Sequence, residues 1–218
     1  MENVQFQKLL DFGFADRVFS LNGEQWKRVS LSYEAVLNMM KQDQVKVYGI
    51  HTGYGANVVS GKDPNNWRTT QSDLLDYLQV GVGDPLPESV VRRGLRLQLL
   101  KTAEGHSGIH PQTVERLVKL CNEPTLPSVP SRGSLGASGD LIPMAHAIGA
   151  IFDSHPPMGP RDVIGLVNTN SLMASYAIEQ WQRVRRLFST THEIVALTMR
   201  ATDAIEDSVS EAVSSLRP

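Results

Sequence analysis

Apolar residues recur at steps of three and four along most of the chain, and strict alternation is rare, so the pattern predicts a mainly α fold. Val36, Leu37 and Met40 mark a helix over residues 32–41. Further helical patterns cover "RTTQSDLLDYLQ" (68–79), "PESVVRRGLRLQLLKTAEG" (87–105), which closes on a glycine, and "HPQTVERLVKLCNE" (110–123), with proline near its start. From residue 171 onward Met173, Ala177, Trp181, Val184, Phe188, Thr191, Val195 and Met199 form a mostly apolar stripe along one face of a long helix, which needs neighbouring helices to cover it. Short apolar runs such as "VKVYGI" (45–50) are the only strand candidates. Two proline-rich stretches, "EPTLPSVPSRG" and "SHPPMGPRD", hold extended or turning backbone on either side of a segment of different character, "GSLGASGDLIPMAHA" (133–147). The expected organisation is a loop-rich catalytic region over 1–165 and a bundle helix over 166–218.

Composition narrows the function classes. With 41% hydrophobic residues, 20% charged residues and a formal charge of −2, the chain has a globular composition and lacks the basic face of a nucleic-acid binder. Cys121 is the only cysteine, and the polar start "MENVQFQKLLDFG" has no apolar core of a secretion signal, which fits a reducing cytoplasm. No apolar run approaches the roughly 20 residues that cross a bilayer, so no membrane partner is expected. His106 and His110 are four apart, but Gly105, Gly108 and Pro111 put them in a loop, where that spacing does not align two ligands; no metal is expected. His146 lies in an apolar run and reads as a satisfied core histidine. Arg183, Arg185 and Arg186 read as a solvated helix face.

The candidate chemistry lies in the glycine-rich segment. Taken alone, Ala137-Ser138-Gly139 followed by Asp140 is a small-residue turn before a helix. The whole segment closely resembles the active-site loop of the aromatic amino acid ammonia-lyases and aminomutases, the family of histidine and phenylalanine ammonia-lyases, in which Ala-Ser-Gly cyclises to 4-methylidene-imidazole-5-one. The resemblance implies that ring from Ala137, Ser138 and Gly139, without metal or external cofactor. The residue types suit the chemistry: the amide nitrogen of Gly139 attacks the Ala137 carbonyl carbon, and a residue without Cβ folds tightly enough to let it. Ser138 supplies a hydroxyl that leaves as water, and Ala137 adds no bulk. Asp140 opens a helix whose amides can stabilise negative charge on the ring.

Upstream, "YGIHTGYG" (48–55) resembles the family's Tyr-Gly-x-x-Thr-Gly-Phe-Gly loop, with Tyr54 where phenylalanine is usual. By the resemblance, Tyr48 is the base that removes a proton from the substrate β-carbon, a task that requires nearby dipoles or positive charge. "LQVGVGDPLP" and "VVRRGLRLQLLKTAEGHSG" continue the resemblance. Tyr77-Leu78 occupies the position where histidine-specific members carry Ser-His and phenylalanine-specific members Phe-Leu, which favours a phenylalanine-like or other nonpolar substrate side chain. "RDVIGLVNTNSL" resembles the family's Lys-Glu-Gly-Leu-Ala-Leu-Ile-Asn-Gly-Thr, making Asn168 the asparagine that orients the ring. The implied site is therefore Ala137, Ser138, Gly139, Tyr48 and Asn168 for catalysis, with Tyr77, Leu78, Gly55 and Leu141 binding substrate.

The resemblance covers the first half of the family's pattern and stops at "EAVSSLRP". The family's second half supplies a further catalytic tyrosine and the arginine that binds the substrate carboxylate. The expectation is a split enzyme: a partner polypeptide carrying the second half joins this chain in a tetramer-like hetero-oligomer. That enzyme eliminates ammonia from an amino acid to leave an α,β-unsaturated acid, or returns the amine at the β-carbon as a mutase. The rival expectations are an isolated fragment of a longer chain and a catalytically inactive binding or scaffold subunit.

Overall fold

A computed structural model describes residues 18–42, 45–137, 139–153 and 155–216. Helix α1, Gly23–Met40, begins well upstream of the predicted 32–41 because Asn22 and Gln25 form a reciprocal capping box, each side chain accepting the other's backbone N–H at 2.9 Å. The helices α2 (Trp67–Leu78), α3 (Glu88–Ala103) and α4 (Pro111–Asn122) match the predicted patterns, and α5 (Leu141–Phe152) begins after Asp140, where a helix start is expected. A short helix, α6 (Asp162–Val167), follows the second proline-rich stretch, and the long helix α7 (Ser171–Ala201) comes next.

One continuous core forms where α2, α5 and α6 pack on one another and α3 packs on α4. Leu74, Leu95, Leu99, Val114, Leu117, Met144, Ile148 and Leu166 fill it, each almost or wholly removed from solvent. Apolar burial of this kind contributes on the order of 2 kcal/mol per large side chain. Helix α6 sits inside the core, with Asp162, Val163, Ile164, Leu166 and Val167 all buried. The described strands are two: β1 (Val82–Pro85) runs antiparallel to β2 (Pro130–Arg132), so part of the proline-rich stretch is extended by pairing.

The strand expected at "VKVYGI" does not form. Ile50 and His51 both donate their N–H to the Val47 carbonyl, and Gly49 takes φ +77°, which turns the chain instead of extending it. The chain divides into two compact units, Met1–Tyr176 and Ala177–Pro218. The division thus falls within α7, whereas the expected boundary after residue 165 lies inside α6, whose Leu166 and Val167 belong to the core of the first unit. Of the stripe on α7, Met173, Trp181, Val184, Phe188 and Val195 are exposed in this chain. The second unit continues from α7 into a 3-10 turn (Glu206–Val209) and the short helix α8 (Glu211–Ser214). Among the described residues no helix is long and apolar enough to cross a membrane.

Candidate active site

The glycine-rich segment is anchored at its downstream end by one buried carboxylate. Asp140 is 5% exposed and accepts the Ser134 hydroxyl at 2.6 Å and the Met173 backbone N–H at 2.9 Å, while its own N–H donates to the Thr169 carbonyl at 2.7 Å. The Met173 amide belongs to the first turn of α7, where a carboxylate complements the helix dipole. Between these ties Ser134, Leu135, Gly136 and Ala137 lie exposed. Ser138 falls outside the described residues. Gly139 has φ +135°, and a Cβ built there would stand 2.8 Å from Asn168 Oδ1 and 3.2 Å from the Thr169 nitrogen and oxygen. Conformation and packing both require glycine at this position. The fold therefore brings Gly139 and Asn168 together.

Asn168 ends α6 and is backed by polar groups. Its carbonyl accepts from Lys101 Nζ at 3.3 Å, and partial burial lowers the pKa of that lysine. The hydroxyls of Thr169 and Ser171 are 2.7 Å apart; Ser171 donates to Gln98 Oε1 at 3.2 Å, and Gln98 Nε2 donates to the Gly165 carbonyl at 3.2 Å. Leu141 is the first residue of α5 and packs partly buried against the core.

Tyr48 and Gly55, predicted for base and binding roles, also meet: the Gly55 N–H donates to Tyr48 Oη at 2.9 Å. Tyr48 is 39% exposed and stands edge-on to Tyr54 with ring centroids 5.9 Å apart. Tyr54 Oη donates to the Gly49 carbonyl at 3.1 Å and accepts from Gln71 Nε2 at 2.5 Å. Gln71 is fully buried, and its Oε1 accepts the N–H groups of Val163 and Ile164 at 2.8 and 3.1 Å, two of the open amides at the start of α6. Burial, with Tyr77 and Tyr48 nearby, raises the Tyr54 phenol above its usual range despite the Arg161 charge. Burial, then Tyr48, raises Tyr77 as well. Both phenols therefore stay protonated at neutral pH.

A cavity of about 500 Å³ lies beside these rings, lined by Tyr54, Tyr77, Thr70, Asp73, Ser60 and Lys62 among others. Tyr77 faces it. Leu78 does not: it is 8% exposed and packs into the core with Leu74 and Leu75, so its side chain backs the helix that carries Tyr77 and is absent from the cavity wall.

The described contacts thus form two groups, one around Gly139 and Asn168, the other around Tyr48, Tyr54 and Tyr77. Helix α6 touches both, and its six residues span about 10 Å. At its start, Arg161 Nε donates to the Ser107 carbonyl at 3.1 Å and Nη1 to the Tyr48 carbonyl at 3.2 Å. Burial lowers the Arg161 pKa, and the Tyr54 and Tyr48 phenols oppose that shift. Asp162 is buried and accepts the His110, Met158 and Gly159 amides at 2.8 Å and the Thr113 hydroxyl at 2.6 Å; burial raises its pKa against those four donors.

Arg161, Asp162 and Gln71 carry no local signature that singles them out: Gln71 lies among the polar Thr70, Ser72 and Asp73, and Arg161 and Asp162 close a proline-rich stretch. The histidines are employed structurally. His110 Nδ1 accepts the Gln112 N–H at 3.1 Å and caps α4, and His146 Nε2 accepts the Gly81 N–H at 3.0 Å. The Cys121 thiol is buried, which pushes its pKa up to about 12 and makes it unreactive.

The family model described as "Aromatic amino acid lyase" matches residues 4–156. Similar curated proteins include the histidine ammonia-lyase of Natranaerobius thermophilus, 26% identical over all of this chain and 47% of its own length. The tyrosine ammonia-lyase of Cereibacter sphaeroides is 32% identical over 85% of this chain and 40% of its own length. Among solved structures, the Pantoea agglomerans phenylalanine aminomutase superposes with a TM-score of 0.85 at 20% identity, covering 97% of this chain and 45% of its own. The chain spans about half the length of the curated relatives it matches.

Proposed function

Because the chain belongs to the aromatic amino acid lyase family, we propose that it is the first-half subunit of a cytoplasmic ammonia-lyase or aminomutase that depends on a methylidene-imidazolone ring. Its substrate is an aromatic or other nonpolar amino acid, which loses ammonia to leave an α,β-unsaturated acid. A second polypeptide carrying the other half of the fold completes the site. The observation that carries this reading is the seat of Gly139. Its φ of +135° and the 2.8 Å approach of Asn168 Oδ1 to a would-be Cβ admit no side chain at the residue whose amide nitrogen would close the ring.

The residues fit the ring on that count: Ala137, Ser138 and Gly139 would form it, and Asn168 would orient it. When formed, it supplies an electrophile that no natural side chain provides. Tyr48 takes the β-proton. The Gly55 amide donates to its phenol oxygen at 2.9 Å and so fixes where that oxygen lies. Tyr54 and Tyr77, kept protonated by burial, act as donors or ring contacts and leave the proton transfer to Tyr48. Tyr77 lines the side-chain pocket, and Leu78 seats the same helix in the core. Leu141 and Gly55 flank the bound substrate, one beside each loop. The exposed apolar residues of α7, Trp181, Val184 and Phe188 among them, support association with partner helices in a hetero-oligomer.

Intact mass of the chain, purified natively from its own cells, tests the reading. The expected mass is that of the sequence less two waters, accompanied by ultraviolet absorbance rising when phenylalanine, tyrosine or histidine is added. A Ser138→Ala chain should keep its full mass. An unmodified mass in the assembled preparation overturns the proposal and favours an inactive scaffold subunit.

A further inference from the structure

We propose that Arg161 is a positioning residue which, by clamping the Tyr48 carbonyl to the start of α6, sets the separation between the Tyr48 loop and the Gly139–Asn168 contact. The chemical consequence rests on the proposed function; the clamp itself does not.

The guanidinium divides its donors between two loops distant in sequence, Nε to Ser107 and Nη1 to Tyr48. Arginine's planar fork suits two carbonyls held at a fixed angle, whereas an ammonium is a single compact donor group. Desolvating this cation is costly, as its lowered pKa reflects, and an apolar side chain would fill the same space without that cost. Its two carbonyl bonds offset part of that cost. The clamp acts on a stiff member: α6 is buried along its length and its start is tied down by the four donors to Asp162.

A second tie runs in parallel. Gln71 joins the Val163 and Ile164 amides to Tyr54, which in turn holds Gly49. Two consecutive backbone positions of the tyrosine loop, Tyr48 and Gly49, are thereby referred to the first turn of α6. The far end of that helix presents Asn168 to Gly139. A short rigid helix clamped at one end and seated at the other fixes a distance between two loops that would otherwise vary independently, and an error of about 1 Å in such a distance costs on the order of 100-fold in rate.

The test uses Arg161→Met and Arg161→Lys in the full chain. Hydrogen exchange read by mass spectrometry should accelerate about tenfold at the amides of residues 48–55 in both variants, with α3 and α4 unchanged. Lysine keeps the charge and loses the fork, so its failure to restore protection identifies geometry as the cause. In the assembled enzyme the two-water mass loss should persist while kcat falls about 10- to 100-fold and KM changes little. Unchanged exchange at 48–55, or faster exchange spread through α3 and α4, overturns the proposal, the second outcome marking a general structural role. If Arg161→Met does not fold, Arg161→Lys alone decides. If the wild-type chain never forms the ring, the functional reading fails while the exchange result still judges the clamp.

Discussion

Two glycine-rich loops carry the candidate chemistry, and the fold holds them in opposite ways. The segment from Gly133 to Gly139 is fastened at its ends, through the buried Asp140 carboxylate and the Gly139 seat against Asn168, while Ser134 to Ala137 lie exposed between. The loop from Tyr48 to Gly55 is fastened along its backbone: the Tyr48 carbonyl to Arg161, the Gly49 carbonyl to Tyr54, the Gly55 amide to the Tyr48 phenol. The contrast follows from what each must do. On the proposed function, a loop whose own peptide bonds react is held at its ends, by Asp140 and the Gly139 seat, while the Gly136 N–H is tied only locally, to the Ser134 hydroxyl at 3.2 Å. A loop that presents a side chain needs its backbone pinned so that the side chain points one way.

The contrast can be broken at either loop. Gly139→Ala should have the largest effect: the two-water mass loss disappears, because the new Cβ meets Asn168 Oδ1 and the φ of +135° is disfavoured with any side chain. Denaturant unfolding should show the same variant destabilised by about 2–4 kcal/mol. Asp140→Ala removes the acceptor of the Ser134 hydroxyl and the Met173 amide and should cost about 2–4 kcal/mol, with ring formation strongly reduced; Asp140→Asn should cost about half as much. Tyr54→Phe restores the residue usual in the family but leaves Gln71 Nε2 without its acceptor. It should cost about 1–2 kcal/mol, loosen residues 48–55 in hydrogen exchange and leave ring formation intact.

The smallest expected effect is a pH dependence at the edge of the ring loop. Burial lowers the pKa of His146, whose Nε2 accepts the Gly81 amide, from 6.5. In the window below 6.5 the unfolded chain binds the proton more readily than the folded one, so this contribution is full above 6.5 and lost as pH falls through the lowered value. Denaturant midpoints measured from about pH 8 to about pH 5 should fall in wild type, and that component of the slope should vanish in His146→Asn.

Much of the architecture is legible along the chain because helices announce themselves locally. Periodicity and end signals identify the segments of α2, α3, α4 and α7, and Asp140 marks the start of α5. Helix α6 is not legible, since five of its six residues are buried and so short a buried helix presents no polar face and hence no helical period. The "VKVYGI" run misleads for the converse reason: it is apolar enough for a strand, yet Gly49 turns it. In the site, Gly139, Asn168, Tyr48 and Gly55 were identifiable from the resemblance of their surrounding residues to a known pattern, and the structure pairs them as neighbours. Leu78 shows the limit, because the next residue along a helix points about 100° away from Tyr77, and only packing decides which of the two faces the cavity.

Legible along the chain alone is the family: the residues around Ala137-Ser138-Gly139 and around Tyr48 resemble its pattern position by position, and such a resemblance needs no contact between distant segments to be seen. Folding alone supplies the ties between distant segments, Gln71 to Val163 across 92 positions and Arg161 to Tyr48 across 113. Partners so far apart in sequence leave no pattern in either neighbourhood. A polar side chain reveals its purpose only once folding has removed the water that would otherwise satisfy it.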